Sequence, residues 1–261
     1  MSDQGRFIWY ELITPDTAGA KRFYGDIVGW TAQDLPTPGD AAEPYSMLSY
    51  DGFTVGGMMN LGEPMKAEGM PPNWTGYICV DDCDAAAAKI TSLGGSVMRP
   101  PLDIPGIGRF AIVADPAGAV VAIMKPIPPQ GGAPPARDIN GMGQVGWHEL
   151  YGAAPETGFD FYAQMFGWTK SDAMPMGERG TYQLFSNQDG QVGAMMKTPP
   201  EAPGPGWTYY FRVPNVDQAA EKAKADGAQV IMGPMDVPGG ERVFQGVDPQ
   251  GAVFAAVARQ G

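Results

Sequence analysis

Histidine, cysteine and basic residues are scarce in this chain of 261 residues. His148 is the single histidine, and Cys79 and Cys83 are the two cysteines. A two-histidine, one-carboxylate iron site and the common catalytic zinc sites need more ligands of these types. Two cysteines separated by three residues cannot form a disulfide framework, which favours reduced thiols and a cytoplasmic protein.

Positive charge and long apolar runs are also in short supply. The chain has 17 Lys and Arg residues against 29 Asp and Glu, a formal net charge of −12, so a nucleic-acid phosphate backbone would be repelled. No apolar run approaches the length of a membrane span, which is about 18 residues. The amino terminus lacks the basic head and apolar stretch of a secretion signal. We therefore expect no nucleic-acid partner, no membrane partner and a cytoplasmic location.

Several catalytic signatures are missing from the sequence. There is no G-x-S-x-G elbow, no P-loop and no G-x-G-x-x-G after a strand, so acyl transfer and nucleotide binding lack their usual motifs. The chain does have 44% hydrophobic and 10% aromatic residues, with 37 glycines and 26 prolines. This composition predicts a folded protein that is rich in turns.

The sequence contains an internal repeat. Of the 23 positions in 9–31, 8 are identical in 147–169 without a gap, including Trp9 with Trp147. Further matches continue to the Asp-Pro-x-Gly turns at 115–118 and 248–251. A tandem duplication follows, with a first domain at 1–126, a Pro/Gly-rich linker at 127–143 and a second domain at 144–261. The linker composition predicts an extended, exposed segment over 126–135.

Each copy divides again into two similar modules. The first module reads as a strand at 7–14, a helix capped by Asp16 and ended by Gly29, and strands near 45–50 and 54–60 joined at Asp51-Gly52. The second reads as a strand at 74–80, a helix capped by Asp82, and strands near 97–99, 110–114 and 120–124. We predict an α+β fold of tandem domains, each two βαβββ modules whose curved mixed sheet forms a cup with helices outside.

His148 and Tyr10 occupy equivalent positions on the first strands of the two copies. An imidazole with a pKa near 6.5 is a candidate general acid or base, and Tyr10 is its phenolic counterpart. The alternative is a hydrogen-bonded histidine that serves packing. Glu149 follows His148 directly, so along a strand the two side chains point to opposite faces.

Glu11 and Glu149 are acids in equivalent positions of apolar strands. Each is either a desolvated base with a raised pKa or a structural carboxylate that pairs with backbone donors or an arginine. Arg109 and Arg242 are also equivalent, and we expect them to be those partners or to bind an anionic substrate.

Tyrosine, methionine and threonine side chains are expected to line the cups. Such a lining suits a small aromatic or aliphatic ligand, although alternation along a strand will place some of these residues in the core. The candidate ligand-binding residues are Tyr45, Met58, Thr75, Tyr77, Arg109, Tyr182, Met195, Thr208, Tyr210 and Arg242.

The pattern resembles the vicinal oxygen chelate superfamily of glyoxalase I, bleomycin-resistance proteins and extradiol dioxygenases. The residues that carry it are the first strand, Asp16, Phe23-Tyr24, Gly29-Trp30, Val80-Asp81-Asp82 and the Asp115–Gly118 turn. The stretch 69–74 and the double length are similar to actinobacterial two-domain glyoxalase-like proteins labelled 27 kDa antigen or hydroxylase.

The resemblance implies metal-ligand positions in each cup. Transferred to this chain, they fall on Tyr10, Met58, Thr75 and Ala122 in the first copy, and on His148, Met195, Thr208 and Ala255 in the second. Only His148 has a ligand-type side chain among them, and three ligands are normally needed. We therefore expect no metal and no other cofactor.

Three functions remain compatible with these residues. The first is a metal-independent enzyme that acts on a small carbonyl, enol or aromatic compound, with His148 or Tyr10 as acid or base. The second is a protein that binds and sequesters a hydrophobic small molecule. The third, a metal-dependent glyoxalase or dioxygenase, requires ligands that these positions lack. We expect a small-molecule ligand and either a monomer or a homodimer.

Overall fold

The computed structural model describes residues 3–36, 44–128 and 138–260. The first sequence half forms an eight-stranded mixed sheet with the strand order β2-β3-β4-β1-β5-β8-β7-β6. Its elements are β1 (Phe7–Thr14), α1 (Thr17–Val28), β2 (Thr31–Asp34), β3 (Ser46–Tyr50), β4 (Phe53–Asn60), α2 (Glu63–Ala67), β5 (Asn73–Cys79), α3 (Cys83–Ser92), β6 (Ser96–Ile104), β7 (Gly108–Ala114) and β8 (Val120–Pro126).

The second half repeats this sheet with the order β10-β11-β12-β9-β13-β16-β15-β14. Its elements are β9 (Val145–Gly152), α4 (Pro155–Phe166), β10 (Thr169–Pro175), a short 3₁₀ turn (Gly177–Arg179), β11 (Thr181–Asn187), β12 (Gly190–Lys197), β13 (Gly206–Arg212), α5 (Val216–Ala225), β14 (Gln229–Val237), β15 (Glu241–Val247) and β16 (Val253–Arg259). The predicted α+β fold with one curled mixed sheet per copy is confirmed.

Short local signals set the ends of the helices. The Asp16 carboxylate accepts a 2.8 Å hydrogen bond from the Gly19 backbone N–H, which caps α1. Gly29 ends α1 with a φ of 85°, a left-handed conformation that glycine adopts without steric cost. Asp82 caps α3 in the same way, through the backbone N–H of Ala85. The caps predicted from the sequence are confirmed.

The hairpin between β3 and β4 follows its predicted turn. Asp51 and Gly52 both have positive φ values, 47° and 80°, as a two-residue turn between twisted strands requires. The turn sets the pairing of Tyr50 with Phe53, and a register shift between Leu48 and Ser49 then brings Met47 opposite Gly57. The turn and this shift together fix which residues of β3 and β4 lie side by side.

Three elements differ from the sequence prediction. β2 and α2 were not predicted, and β6 runs over Ser96–Ile104 rather than 97–99, passing through Pro100 and Pro101. β6 is the last strand of its sheet, and proline is tolerated at a sheet edge because its missing N–H faces away from the ladder. In the predicted linker, residues 129–137 lie outside the described residues, and Ile127 is exposed.

Two compact units divide the molecule differently from the two sequence copies. The first unit comprises the described parts of Met1–Ile8, Thr75–Arg137 and His148–Trp207. The second comprises those of Trp9–Trp74, Asp138–Trp147 and Thr208–Gly261. Each unit therefore contains one module from each copy, an exchange that the tandem repeat in the sequence does not reveal.

The core of each unit is aromatic and lies against the helix of its first module. In the first unit the cluster contains Phe7, Tyr162, Phe166, Trp168, Phe185 and Trp207. In the second it contains Phe23, Tyr24, Trp30, Trp74, Phe211 and Phe254. Aromatic pairs of this kind add specific edge-to-face contacts to the burial of apolar area.

Within the described ranges, no helix has both the length and the apolar character needed to cross a membrane.

Candidate functional site

Strand alternation divides the residues of β1 between two faces of the sheet. Tyr10 contacts Tyr209 in a T-shaped pair, with the ring centroids 5.3 Å apart. Tyr209 is itself two residues from Phe211, which lies in the aromatic cluster against α1. Because neighbouring side chains on a strand point in opposite directions, Glu11 and Trp9 lie on the other face, which we call the cup face.

A carboxylate, a phenol and an indole meet on the cup face of the first copy. The Tyr45 hydroxyl donates a 2.9 Å hydrogen bond to Glu11 Oε2. The Trp9 indole N–H lies 3.3 Å from the same oxygen and 3.2 Å from the Tyr45 hydroxyl oxygen, so it is shared between them. We call these three residues the Glu11 cluster. They are brought together by β1 and by the residue that directly precedes β3.

The Glu11 carboxyl is buried but incompletely paired. Its side chain is 6% exposed, and Oε1 has no hydrogen-bond partner among the described residues. Burial raises the pKa of Glu11 to about 7, and the hydrogen bonds from Tyr45 and Trp9 oppose that rise. Near neutral pH this carboxyl is therefore present in both protonation states, which suits a group that accepts and returns a proton.

Glycine at position 57 leaves the space that the Tyr45 ring occupies. β1 and β4 pair in parallel with Glu11 opposite Gly57. A Cβ atom at Gly57 would overlap the hydroxyl of Tyr45 and lie 2.9 Å from its Cε1. The phenol thus lies directly over the β4 backbone, and this position brings its hydroxyl to Glu11.

The second copy has a related arrangement on its first module. The Tyr182 hydroxyl donates a 2.8 Å hydrogen bond to Glu149 Oε2. In the register of β12 with β9, Glu149 lies opposite Ala194, so the position of Gly57 carries a methyl group here. The two copies therefore share the carboxylate and the phenol but differ in the residue that lies opposite the carboxylate.

His148 lies in the aromatic core of the first unit. It is 3% exposed and stacks on Phe7, with the ring centroids 3.9 Å apart. Its Nδ1 lies 2.7 Å from the carbonyl oxygen of Val192. Phe7 also contacts Trp168 and Trp207. This is the geometry of the packing alternative, and Tyr10 likewise contacts an aromatic ring, in the T-shaped pair with Tyr209.

The predicted methionine positions are on the face opposite the Glu11 cluster. Met58 is completely buried and lies opposite Leu12, one residue out of phase with Gly57. Met195 lies opposite Leu150 in the same way and is 2% exposed. Strand alternation therefore places both in the core rather than on the cup face, whereas Met47 lies on the cup face opposite Gly57.

The second modules place their predicted tyrosines and threonines on the cup face. In β13, Thr208 and Tyr210 alternate with Tyr209, and Tyr210 is bound by Gln245 Nε2 at 2.6 Å. Tyr210 also belongs to a buried apolar cluster with Val243. In β5, Thr75 and Tyr77 are the counterparts, and Tyr77 lies 6.1 Å from Phe110.

Arg109 and Arg242 form matching ion pairs away from the two glutamates. Arg109 binds Asp84 on α3 with two nitrogens, at 2.7 and 2.9 Å, and Asp103 on β6 at 3.0 Å. Arg242 binds Asp217 and Asp236 in the same pattern. These contacts join the helix of each second module to its edge strand. Neither arginine is the partner of Glu11 or Glu149 in the contacts described.

The residues at the implied metal positions do not fit a divalent cation. Tyr10 and Met58 face the core, Ala122 has no donor atom, and Thr75 supplies a neutral hydroxyl. The Glu11 cluster offers one carboxylate beside an indole N–H, which donates hydrogen bonds and cannot ligate a metal. Among the described residues, no group of three His, Cys, Asp or Glu side chains could hold an ion.

Two residues of the site were missed by the sequence analysis. Trp9 was not among the predicted site residues, although it is two residues from Glu11 and therefore on the same strand face. Gly57 was not among the predicted site residues either. The available signal was strand parity, which places Trp9, Glu11 and Gly57 together and separates them from Tyr10 and Met58.

Each half of the chain forms a curled eight-stranded mixed sheet, and this repeated fold indicates the class of protein. The model of the Glyoxalase/Bleomycin resistance protein/Dioxygenase superfamily matches residues 6–123 and 144–255. The chain belongs to this superfamily, and the predicted resemblance is confirmed. The matched ranges fall within the predicted domains 1–126 and 144–261, whose exact bounds stay predictions.

Two curated relatives match almost the whole chain. The Mycobacterium tuberculosis protein named "Putative glyoxylase CFP32" is 37% identical over 254 residues, covering 97% of this chain and 95% of the relative. The Streptomyces peucetius "Anthracycline biosynthesis protein DnrV" is 32% identical over 267 residues, covering 95% and 91%.

Solved structures with the same fold are much more distant in sequence. The Mn(II)-bound glyoxalase from Novosphingobium aromaticivorans has a TM-score of 0.63 at 17% identity, covering 100% of this chain and 84% of that one. The 2,2',3-trihydroxybiphenyl 1,2-dioxygenase from Sphingomonas wittichii has a TM-score of 0.66 at 14% identity, covering 98% and 90%. At these identities the likeness shows the fold alone.

Proposed function

We propose that the chain is a metal-independent, glyoxalase-like enzyme in which Glu11 transfers a proton to and from a small neutral ligand. The ligand carries an acidic C–H or O–H group, as an enolisable carbonyl compound or a phenol does. The observation that carries the proposal is Oε1 of Glu11, which is buried and has no hydrogen-bond partner among the described residues. The other carboxylate oxygen, Oε2, is already bound by Tyr45 and Trp9.

The chemistry of the cluster supports a base. A buried acceptor without a donor costs free energy, and a ligand that donates a hydrogen bond to Oε1 would remove this cost. When Glu11 takes the proton from the ligand, Tyr45 and Trp9 remain bound to Oε2 and hold the carboxyl in place. The pKa of about 7 lets Glu11 return the proton at neutral pH.

The surroundings of Glu11 favour a neutral ligand over an anion. The described partners of Glu11 are a phenol and an indole, neither of which carries positive charge. The chain as a whole has a net charge of −12, which repels anions at long range. Met47, in register with Gly57, adds apolar surface on the same face. The printed names of the relatives, a glyoxylase and an anthracycline biosynthesis protein, are compatible with a carbonyl or an aromatic ligand.

His148 and Tyr10, the acid–base candidates of the sequence analysis, act in this proposal through packing. The stacking of His148 on Phe7 and its bond to the Val192 carbonyl support that assignment. The second candidate function is binding without turnover, which the same cluster supports because an unpaired buried acceptor recognises a donor whether or not a proton moves.

Deuterium exchange distinguishes the two functions. The probe is 2-hydroxyacetophenone, a neutral aromatic hydroxyketone with an acidic C–H, incubated with the protein in D₂O and followed by proton NMR. We expect the wild-type chain to accelerate loss of the α-proton signal and Glu11→Gln to lower the rate by about 10²-fold or more, the range for loss of a general base. Glu149→Gln is the matched control.

Each outcome has a definite consequence. Exchange that survives in Glu11→Gln overturns the proposal. If the wild-type chain gives no exchange but the probe quenches tryptophan fluorescence, and Glu11→Gln weakens that binding, the enzyme proposal fails and the binding function takes its place.

A further inference from the structure

We infer that Gly57 is a positioning residue, which seats the Tyr45 hydroxyl on Glu11, and that Ala194 makes the corresponding site of the second copy geometrically different. This inference deepens the proposed function and rests on it only in taking Glu11 as the reacting carboxyl. In this inference Gly57 acts through Tyr45.

The Tyr45 ring occupies the space beside the Gly57 backbone. The three heavy atoms nearest to a Cβ at Gly57 are the hydroxyl oxygen, Cζ and Cε1 of Tyr45. The outer edge of the phenol therefore occupies the volume that any other residue type would fill. Only glycine at position 57 permits the hydroxyl to be where it binds both Glu11 and the Trp9 indole.

The contact at Gly57 differs from those at Gly56 and at Gly193 of the second copy. A Cβ at Gly56 would overlap the backbone carbonyl of Tyr10, and one at Gly193 would overlap that of His148. Backbone atoms in a sheet cannot move aside, whereas Tyr45 is a partly exposed side chain that can rotate. An alanine at position 57 should therefore displace Tyr45 while β4 keeps its place.

The second copy has a different residue opposite its carboxylate. Ala194 lies opposite Glu149, as Gly57 lies opposite Glu11. Tyr182 binds Glu149 beside a strand that carries a methyl group at this position, so we infer that its ring does not occupy the space that the ring of Tyr45 fills. The two carboxylates are therefore held by phenols that approach them in different ways.

The titration of Glu11 tests the inference without any ligand. Glutamate is labelled with ¹³C at the side-chain carboxyl, the Glu11 signal is assigned as the one that Glu11→Gln removes, and its midpoint is measured by NMR. The Tyr45 hydrogen bond lowers the pKa of Glu11, so Tyr45→Phe should move the midpoint upward by about one pH unit. Gly57→Ala should move it in the same direction.

The matched control is Ala194→Gly, which makes the reverse change in the second copy. It should leave the Glu11 midpoint unchanged. The double variant Gly57→Ala/Tyr45→Phe should titrate like Tyr45→Phe alone, because the alanine acts through the tyrosine.

Three results would overturn the inference. They are a wild-type midpoint in Gly57→Ala, an unchanged midpoint in Tyr45→Phe, and an equal change in Ala194→Gly. If Gly57→Ala does not fold, the Tyr45→Phe midpoint decides: an upward shift supports a Tyr45 hydroxyl held on Glu11, and an unchanged midpoint overturns the inference. The Glu11 midpoints can move as expected even if the wild-type chain does not catalyse deuterium exchange. That combination would support the role of Gly57 and refute the proposed enzyme.

Discussion

The Tyr24 hydroxyl donates a 2.8 Å hydrogen bond to Asp248, a residue 224 positions further along the chain. Tyr24 is on α1 of the first copy, and Asp248 is in the Asp-Pro-x-Gly turn of the second. The reverse pair, Tyr162 with Asp115, has the same length in the first unit. Each copy thus supplies a helix to one unit and a turn to the other, which joins the two copies reciprocally.

We expect Tyr24→Phe to destabilise the protein substantially. The Tyr24 hydroxyl also accepts a 2.8 Å hydrogen bond from the Trp74 indole, so its removal leaves two buried polar groups without this partner. At about 1–3 kcal/mol for each such group, the loss should total roughly 2–6 kcal/mol. Urea denaturation measures it. Tyr50→Phe, at a half-buried ring, is the control and should unfold like the wild type; an equal effect there would contradict the expectation.

Glu11 should make stability fall as the pH rises. Its folded pKa of about 7 lies above the ordinary value of 4.5, so the folded state prefers the protonated carboxyl. The free energy of unfolding should therefore decline between about pH 4.5 and 7 and stay lower above pH 7. At 1.36 kcal/mol for each pH unit, the decline amounts to about 3 kcal/mol.

Glu11→Gln isolates this contribution. The variant should lack the decline, so the difference in unfolding free energy between variant and wild type should grow in favour of the variant from pH 4.5 to 7. Parallel pH curves for the two proteins would show that Glu11 titrates equally in the folded and unfolded states, which is incompatible with a raised pKa in the folded protein.

His148→Tyr tests whether the imidazole serves packing. Tyrosine is the residue that the first copy has at this position, and it can replace one aromatic ring by another while removing the imidazole. We expect deuterium exchange to persist in this variant and thermal stability to fall, because the bond to the Val192 carbonyl is lost. A stable, folded variant without exchange would return His148 to the role of acid or base.

Removal of divalent metals should leave the activity unchanged. The donors at the implied ligand positions do not match a cation site, so dialysis against EDTA should alter neither the rate of exchange nor the binding of the probe. Atomic emission of the purified protein gives the metal content in parallel. Activity that disappears with EDTA and returns with Mn²⁺ or Zn²⁺ would show that metal chemistry operates.

Local signals made much of the fold predictable. Asp16 and Gly29 mark both ends of α1, and Asp51-Gly52 specifies the hairpin, because each acts on residues within one turn of chain. The interleaved units were not predictable in this way, since the bond from Tyr24 to Asp248 joins two residues whose separation carries no sequence signal. The length of β6 was underestimated because prolines such as Pro100 and Pro101 ordinarily interrupt a strand.

The site was predictable in part. Retention of an acid at both Glu11 and Glu149 identified the carboxylates, and Tyr45 and Tyr182, the phenols that bind them, were among the predicted lining residues. His148 was assigned as an acid or base because of the chemistry of its imidazole. It is two residues from the buried Leu150 on the same strand and therefore lies on the core face. The raised pKa of Glu11 required the burial that only the folded structure shows.

The pH dependence of deuterium exchange tests the central claim most directly. With Glu11 as the base, the rate of exchange of 2-hydroxyacetophenone should rise with pH through a midpoint near the pKa of about 7 and then level off. Glu11→Gln should abolish the rise, and Glu149→Gln should retain it. A rise that persists in Glu11→Gln with the wild-type midpoint would contradict the assignment of Glu11 as the base.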